Sequence, residues 1–327
     1  MVTKNNLPTL IRIFSYSILA ITLVFLINNV LTIWFDWPGI KQLFSQYGLF
    51  GFKKLSKPLE GSVLTFSFIQ LFFYFISVLL VIFYVFKSIN QTLESDAEIL
   101  TKFTAYIIRS SFWAVLIVGI ADAIVSFMVV EKLTGPILGE YLRIKLVIPN
   151  FRITYVHFPL ILISFVIGYF TRSVGFIWLA ILVVGSEFTI VLSRFIFEYE
   201  QAFQGDLVRF WYSALYLFAS AYALMHEGHV RVDVLYTGFT EQKKAWTNSI
   251  GSLVLGIPLC LIVIFLGMSG KASIINGPVT AFEITQQGSN GLYLLYLMAI
   301  YLAVFAVSML IQFTSYFMSS SHKLLKN

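Results

Sequence analysis

The chain has 327 residues, of which 58% are hydrophobic, 17% are aromatic and only 12% are charged. Soluble proteins carry roughly 25% charged residues, and a soluble domain has too little interior to bury so much apolar surface. These values exclude soluble enzymes, nucleic-acid-binding domains and disordered chains, and they indicate an all-α polytopic membrane protein. The net charge of +6 is therefore assigned to loops that lie beside anionic lipid head groups.

Apolar runs long enough to cross about 30 Å of hydrocarbon, roughly 20 residues each, define the predicted elements. Because a bilayer core offers no water to backbone polar groups, each run is predicted to be a helix. Six clear runs and two shorter ones predict about eight spans. The clear runs are Ile13–Phe35, Val63–Phe86, Ser111–Val130, Val174–Phe195, Trp246–Met268 and Gly291–Met318. The shorter runs are Ile153–Phe170 and Leu207–Leu224.

Local signals mark where some of these helices begin or bend. Ser95, followed three residues later by Glu98, forms a capping-box pattern that predicts a helix start ahead of the third span. Thr240 is predicted to be the N-cap of the helix that leads into the seventh span. Pro258 lies inside that span and predicts a kink.

The topology of the first half is left open by its charges. Lys and Arg residues around the last four spans favour a cytoplasmic N-terminus by the positive-inside rule, whereas those of the first half show the opposite bias. Either one early segment does not span, or the outer loops are held by something other than charge. Residues 40–54 are amphipathic and suit a position in the membrane interface.

Two acidic residues lie inside predicted spans, where a charge is costly to insert. Asp122 lies in the middle of the third span and Glu187 lies in the fifth, and we expect both to be buried polar residues. They could form an ion or proton relay, or they could make polar contacts that fix helix packing within this chain or against a partner chain. We favour packing, because no broken helices or paired internal repeats accompany them, as transport sites usually require.

The sequence offers little for catalysis, metals or cofactors. His226 and His229 are three residues apart in a loop without a nearby cysteine, which is a weak metal signal. Cys260 is the single cysteine, so neither a disulfide nor a cysteine-based metal site is possible within the chain. His157 is the histidine near a predicted span, and a bis-His haem needs facing pairs. We therefore predict no catalytic residue, no metal, no cofactor and no enzyme activity.

The most unusual polar stretch is residues 226–236, HEGHVRVDVLY, in which charged residues alternate with valines. It is either an ordinary loop or a docking segment whose apolar face packs on another helix. Together with Ala221-Tyr222-Ala223-Leu224 before it, the run Gly228-His229-Val230-Arg231-Val232-Asp233-Val234-Leu235 resembles the hallmark of a known family. That family is the small permease (Q-type) subunit of tripartite ATP-independent periplasmic (TRAP) transporters.

Further features of the second half match the same family. Arg194-Phe195 corresponds to an Arg-aromatic pair at the end of the family's first helix, and Asp206 to the acidic residue before its second helix. The resemblance implies a four-helix small-permease domain over residues 174–327 and a long form with an extension of about four spans over residues 1–173. We also expect Arg194 and Asp206 to pair near the outer surface. The residues expected at structural contacts or partner interfaces are Arg194, Asp206, Arg209, Gly228, His229, Arg231 and Asp233.

The resemblance implies a scaffold subunit in the bacterial inner membrane. Its partners would be membrane lipids, a large permease subunit that carries the substrate and Na⁺ sites, and a periplasmic protein that delivers an organic anion, often a carboxylate. Two other functions stay open: a self-sufficient secondary transporter or channel, and a membrane anchor for a redox complex. The substrate, the coupling ion and the stoichiometry do not follow from the sequence.

Overall fold

The computed structural model describes residues 6–172, 176–225, 236–284 and 291–326. Their ordered elements are helices, and no β-strand occurs in these ranges, which confirms the predicted all-helical class. The predicted interface residues Gly228, His229, Arg231 and Asp233 lie outside the described residues.

The helices follow the predicted apolar runs. The first six are α1 (Leu7–Trp34), α2 (Gly39–Tyr47), α3 (Gly61–Lys87), α4 (Leu93–Val130), α5 (Thr134–Leu138) and α6 (Glu140–Lys145). The remaining six are α7 (Pro149–Phe170), α8 (Phe176–Phe197), α9 (Ala202–Met225), α10 (Glu241–Gly267), α11 (Asn276–Thr280) and α12 (Leu295–Lys326).

Seven of the described helices are long and apolar enough to cross a membrane, namely α1, α3, α4, α7, α8, α10 and α12. The eighth predicted span, Leu207–Leu224, lies in α9, which has 24 residues and is therefore long enough. It falls outside that group because Asp206 and Arg209 in its first turns, together with its serines and tyrosines, lower its hydropathy.

One of the two predicted helix starts is correct. The Thr240 hydroxyl accepts a hydrogen bond from the Lys243 amide at 3.4 Å, as an N-cap does. The prediction at Ser95 is wrong, since α4 already begins at Leu93. There the hydroxyl of Thr92 accepts the Ser95 amide at 3.2 Å, so Thr92 caps this helix of 38 residues.

Two of the long helices contain a turn of π-helix. In α10 the turn is Ser252–Gly256, two residues before Pro258, where we predicted a kink. In α7 the turn is Ile153–His157, two residues before Pro159. A proline inside a helix removes one backbone donor and its ring collides with the carbonyl four residues earlier. A wider turn immediately before the proline accommodates both effects and leaves the helix otherwise continuous.

The chain divides into two compact units. One contains Met1–Ile99, Val234–Leu261 and Phe313–Asn327, and the other contains Leu100–Asp233 and Ile262–Gln312. Each unit therefore draws on both sides of the predicted boundary between residues 173 and 174. The division into two domains at this boundary therefore stays a prediction.

In the first unit, α1 packs against α3, and buried polar side chains fix the contact. The side-chain amide of Gln70 donates to the Thr32 hydroxyl at 3.2 Å and accepts the Gly39 amide at 2.8 Å. Asn28 donates to the Gln70 carbonyl at 3.2 Å. Residue Gly39 begins α2, which also packs on α3 with Leu43 buried, in keeping with the predicted amphipathic character of this stretch.

A buried ion pair connects α1 with the start of α4 in the same unit. Arg12 is 2% exposed, and its Nε lies 2.5 Å from Oδ2 of the fully buried Asp96. Its two terminal nitrogens donate to the carbonyl and the hydroxyl of Ser88, each at 2.8 Å. A buried charge is tolerated only when it is paired and hydrogen-bonded in this way.

In the second unit, α4 crosses α7 and α9 at glycines that allow close approach. A Cβ on Gly168 of α7 would lie 2.9 Å from the Ser110 backbone of α4. A Cβ on Gly119 of α4 would lie 2.8 Å from the indole nitrogen of Trp211 in α9, which donates to the Val115 carbonyl at 3.3 Å. The apolar core beside these crossings includes Phe112, Val118, Leu179, Phe210, Phe218, Leu294 and Tyr301.

We expect Gly168→Ala to destabilise the protein, because the backbone of Ser110 cannot move aside as a side-chain tip could. Overpacking of this kind costs about 1–3 kcal/mol. The matched control is Gly205→Ala in α9, where nothing lies within 4 Å of the added methyl group. Thermal unfolding in detergent should show a lower Tm for the first variant and an equal or higher Tm for the control. Equal Tm values for all three proteins would contradict the close crossing.

Candidate functional site

The centre of the second unit is a buried ionic cluster around Asp122 of α4. Asp122, Arg152 and His157 are each at most 1% exposed. Oδ1 of Asp122 lies 2.5 Å from Nε of Arg152 and 2.7 Å from Nε2 of His157. Both partners come from α7, where the π-helical turn Ile153–His157 separates them. The turn thus lies where α7 presents two cationic or hydrogen-bonding side chains to one carboxylate.

The segment that leads into α12 completes the cluster. The Tyr293 amide donates to Oδ2 of Asp122 at 2.8 Å, and the Tyr296 hydroxyl lies 3.0 Å from Nδ1 of His157. The guanidinium carbon of Arg152 also lies over the Tyr293 ring, 4.3 Å from the centre of the ring. Arg152 further donates to the Ser126 hydroxyl at 2.7 Å. Three separate stretches of chain therefore meet at this cluster.

The described partners occupy both oxygens of Asp122 and both ring nitrogens of His157. Arg152 supplies the positive charge that balances the carboxylate. A relay or ion site needs unpaired oxygen ligands or a group free to change partners, whereas this arrangement holds helices together. The geometry accordingly favours packing, rather than transport chemistry, as the role of Asp122.

A second buried carboxylate, that of Asp206, accepts a hydrogen bond from the same segment before α12. Oδ2 of Asp206, in the first turns of α9, accepts the Leu292 amide at 3.1 Å. Oδ1 of Asp206 lies 3.8 Å from the largely exposed guanidinium of Arg209. The backbone amides of Leu292 and Tyr293 are thus each held by a buried aspartate. Of the predicted interface residues, Asp206 is inside the unit and Arg209 is at its surface.

Arg194 does not have the partner that we predicted. Its Nε donates to Oε2 of Glu200 at 2.6 Å, and its side chain is 65% exposed. The prediction of an Arg194–Asp206 pair is wrong, because Glu200 in the short connection between α8 and α9 lies nearer along the chain, while Asp206 faces the core.

A third polar contact lies where α4 ends. Glu131 accepts hydrogen bonds from the Tyr199 hydroxyl at 2.8 Å and from the Gln201 side chain at 2.5 Å. The hydrogen bond to this carboxylate raises the pKa of Tyr199, since ionisation would remove the donor and place two negative charges side by side. The connection between α8 and α9 is thereby joined to the end of α4.

Glu187 lies in a different environment from Asp122. It is in the middle of α8 and is exposed in this chain, together with Val184, Phe188 and Val191. The prediction that Glu187 is buried, as Asp122 is, is therefore wrong for the chain by itself. The inward face of α8 carries Leu179 and Ser186 instead, because Glu187 is one position off that face.

Sequence reasoning missed most of the partners of Asp122. Arg152 stands at the edge of a short apolar run, where a basic residue is typical of a loop, so nothing in the sequence marks it as a buried partner. His157 was noted only as a possible haem ligand, and the amides of residues 292 and 293 carry no sequence signal. The available clue was that Arg152 and His157 fall within one helix shortly before Pro159, a residue that disturbs regular helix geometry.

A comparison with known families assigns the C-terminal part of the chain. Residues 176–318 match the family described as tripartite ATP-independent periplasmic transporters, DctQ component. This stretch, which is somewhat less than half of the chain, is similar to the DctQ component. No curated protein and no solved structure matches the chain. In the described residues no group of three or more His, Cys, Asp or Glu side chains could hold a metal ion.

The DctQ component is the small permease subunit of TRAP transporters, and the chain preceding residue 176 is consistent with a long form of it. Seven apolar helices and this family identify a multi-pass protein of the inner membrane. The family operates with a large permease and a periplasmic binding protein, and it is a transporter component rather than an enzyme family. The matched range contains α8, α9, α10, α11 and most of α12.

We expect Asp122→Leu to destabilise the protein by about 3–5 kcal/mol, because it leaves the buried Arg152 charge without its partner. Asp122→Leu combined with Arg152→Met should recover part of this loss, since no unpaired charge remains. Thermal unfolding of the two single variants and the double variant in detergent measures the coupling. Additive losses would show that Asp122 and Arg152 do not stabilise each other.

Proposed function

We propose that this chain is the scaffold subunit of a TRAP transporter that takes up an organic anion, with a carboxylate as the expected class and Na⁺ as the expected coupling ion. The match of residues 176–318 to the DctQ component carries this proposal. The buried charges support it in a second way, because those described in detail are engaged in holding helices together. The substrate and Na⁺ sites would then belong to the large permease.

We further propose that residues 1–173 enlarge and brace this scaffold. Three contacts support the idea, and each joins a residue before 173 to the DctQ domain. Asp122 accepts the Tyr293 amide, Glu131 accepts Tyr199, and Gly119 lies against Trp211. An extension with an independent task would need no such contacts with the domain that follows it.

The two alternatives receive less support. A self-sufficient carrier would use Asp122 and Glu187 as coupling residues, yet the oxygens of Asp122 are already occupied and Glu187 lies on the exposed face. A haem-carrying anchor would need a histidine nitrogen for the iron, whereas both nitrogens of His157 have protein partners.

Purification of the tagged chain from its native host in mild detergent, followed by mass spectrometry, tests the proposed function. A second, larger polytopic permease should co-purify in near one-to-one amount. A tagged membrane protein from an unrelated family, purified in the same way, is the control for non-specific recovery of the permease. Recovery of this chain alone, with uptake activity after reconstitution by itself, would contradict the scaffold function and favour a self-sufficient carrier.

A chain that begins at residue 172 tests the bracing role of the extension. Its removal deletes Asp122, Arg152, His157 and Glu131, so the Tyr293 amide loses a buried partner and the Tyr199 hydroxyl loses its hydrogen-bond acceptor. We expect the shortened chain to be recovered in much lower amount and with a lower Tm than the full chain. A shortened chain that assembled with the permease and supported transport normally would rule out this role.

A further inference from the structure

Glu187 lies on the exposed face of α8, at a depth where lipid offers its carboxylate no hydrogen-bond donor. Glu187 follows Phe176 by eleven residues and precedes Phe197 by ten, so it stands about 15–17 Å from either end of the helix. That distance is close to half of the roughly 30 Å hydrocarbon thickness. The side chain is too short to reach either interface from there.

Within the described parts of the chain, Glu187 makes no hydrogen bond and no ion pair. Arg194 shares its face two turns away but is engaged with Glu200. The neighbours of Glu187 on this face, Val184 and Val191, are 68% and 46% exposed and have no polar atoms in their side chains. Every buried acid described in the second unit has polar partners, so Glu187 differs from Asp122 and Asp206 in this respect.

A second copy of the chain is a poor cover for this face. Two copies of a membrane protein inserted in the same direction place the same residue at the same depth. A dimer through this face would therefore oppose Glu187 with Glu187, and two carboxyl groups that share a site cannot both stay ionised. A lipid tail offers no hydrogen-bond donor at all. A different chain that supplies a hydrogen-bond donor at mid-membrane depth would satisfy the Glu187 carboxylate.

We propose that Glu187 accepts a hydrogen bond or ion pair from a basic side chain on a membrane helix of the large permease, which packs along the α8 face formed by Val184, Glu187 and Val191. The inference rests on the proposed function, because that function supplies a partner with membrane helices. Bilayer surroundings make an ionic contact of this kind both strong and selective, since an alternative partner without the cation leaves the carboxylate unpaired. The valines on either side provide apolar contact that excludes lipid from the pair.

The test is the ratio of large permease to tagged chain after purification from the native host, measured by mass spectrometry. Glu187→Leu should lower this ratio about tenfold, as loss of a central contact does. The amount of the Glu187→Leu chain in the membrane should not fall, because leucine inserts more readily than glutamate. Glu187→Gln keeps an acceptor but not the charge and should give a smaller loss. Glu283→Gln, an exposed acid of the same domain outside the long helices, should leave the ratio unchanged.

Each other outcome has a defined meaning. An unchanged ratio for Glu187→Leu, with permease recovered by the wild type, overturns the contact and leaves the scaffold function intact. Failure of the wild type to recover any permease overturns the scaffold function and this inference with it. A Val184→Cys chain in a Cys260→Ser background tests for a second copy on this face. A disulfide-linked dimer formed in native membranes would overturn the assignment to the permease.

Discussion

The Asp122 carboxylate imposes the strongest constraint on the second unit, because a fully buried charge is stable only when every partner is present. Its partners come from α7 and from the segment before α12, and the Tyr293 amide is 171 residues away along the chain. The helices that supply them must therefore pack together in one arrangement. The π-helical turn in α7 belongs to the same requirement, since Arg152 and His157 both reach the carboxylate from it.

The same cluster joins the chain before residue 173 to the part that matches the DctQ component. Asp122 and Asp206 each hold one amide of the segment that begins α12, one from before residue 173 and one from after it. The start of this long helix is thus fixed by both parts of the chain. A scaffold subunit of the kind proposed needs such fixed positions in order to present a constant surface to its partner. This is the physical link between the buried polar contacts and the proposed role.

Asp122 and Glu187 illustrate how one residue class serves two purposes in a membrane protein. Both are acids in the middle of apolar helices, and the sequence pattern around them is similar. Asp122 is satisfied within the chain and stabilises it. Glu187 faces outward and is exposed in this chain. An unsatisfied polar group in hydrocarbon is costly, and a surface that carries one therefore favours a specific partner over lipid.

The sequence by itself determined the membrane class, the helical content and the position of every long helix, because the bilayer thickness and the need for internal backbone hydrogen bonds leave few choices. It also determined the Thr240 cap, since that contact is local. It did not determine that Arg152 and His157 join Asp122, that Arg194 pairs with Glu200, or that Glu187 is exposed. The Asp122 cluster and the exposure of Glu187 depend on which helix faces meet, and tertiary packing between residues far apart in the chain decides this. The Arg194–Glu200 pair depends instead on the path of the short connection between α8 and α9.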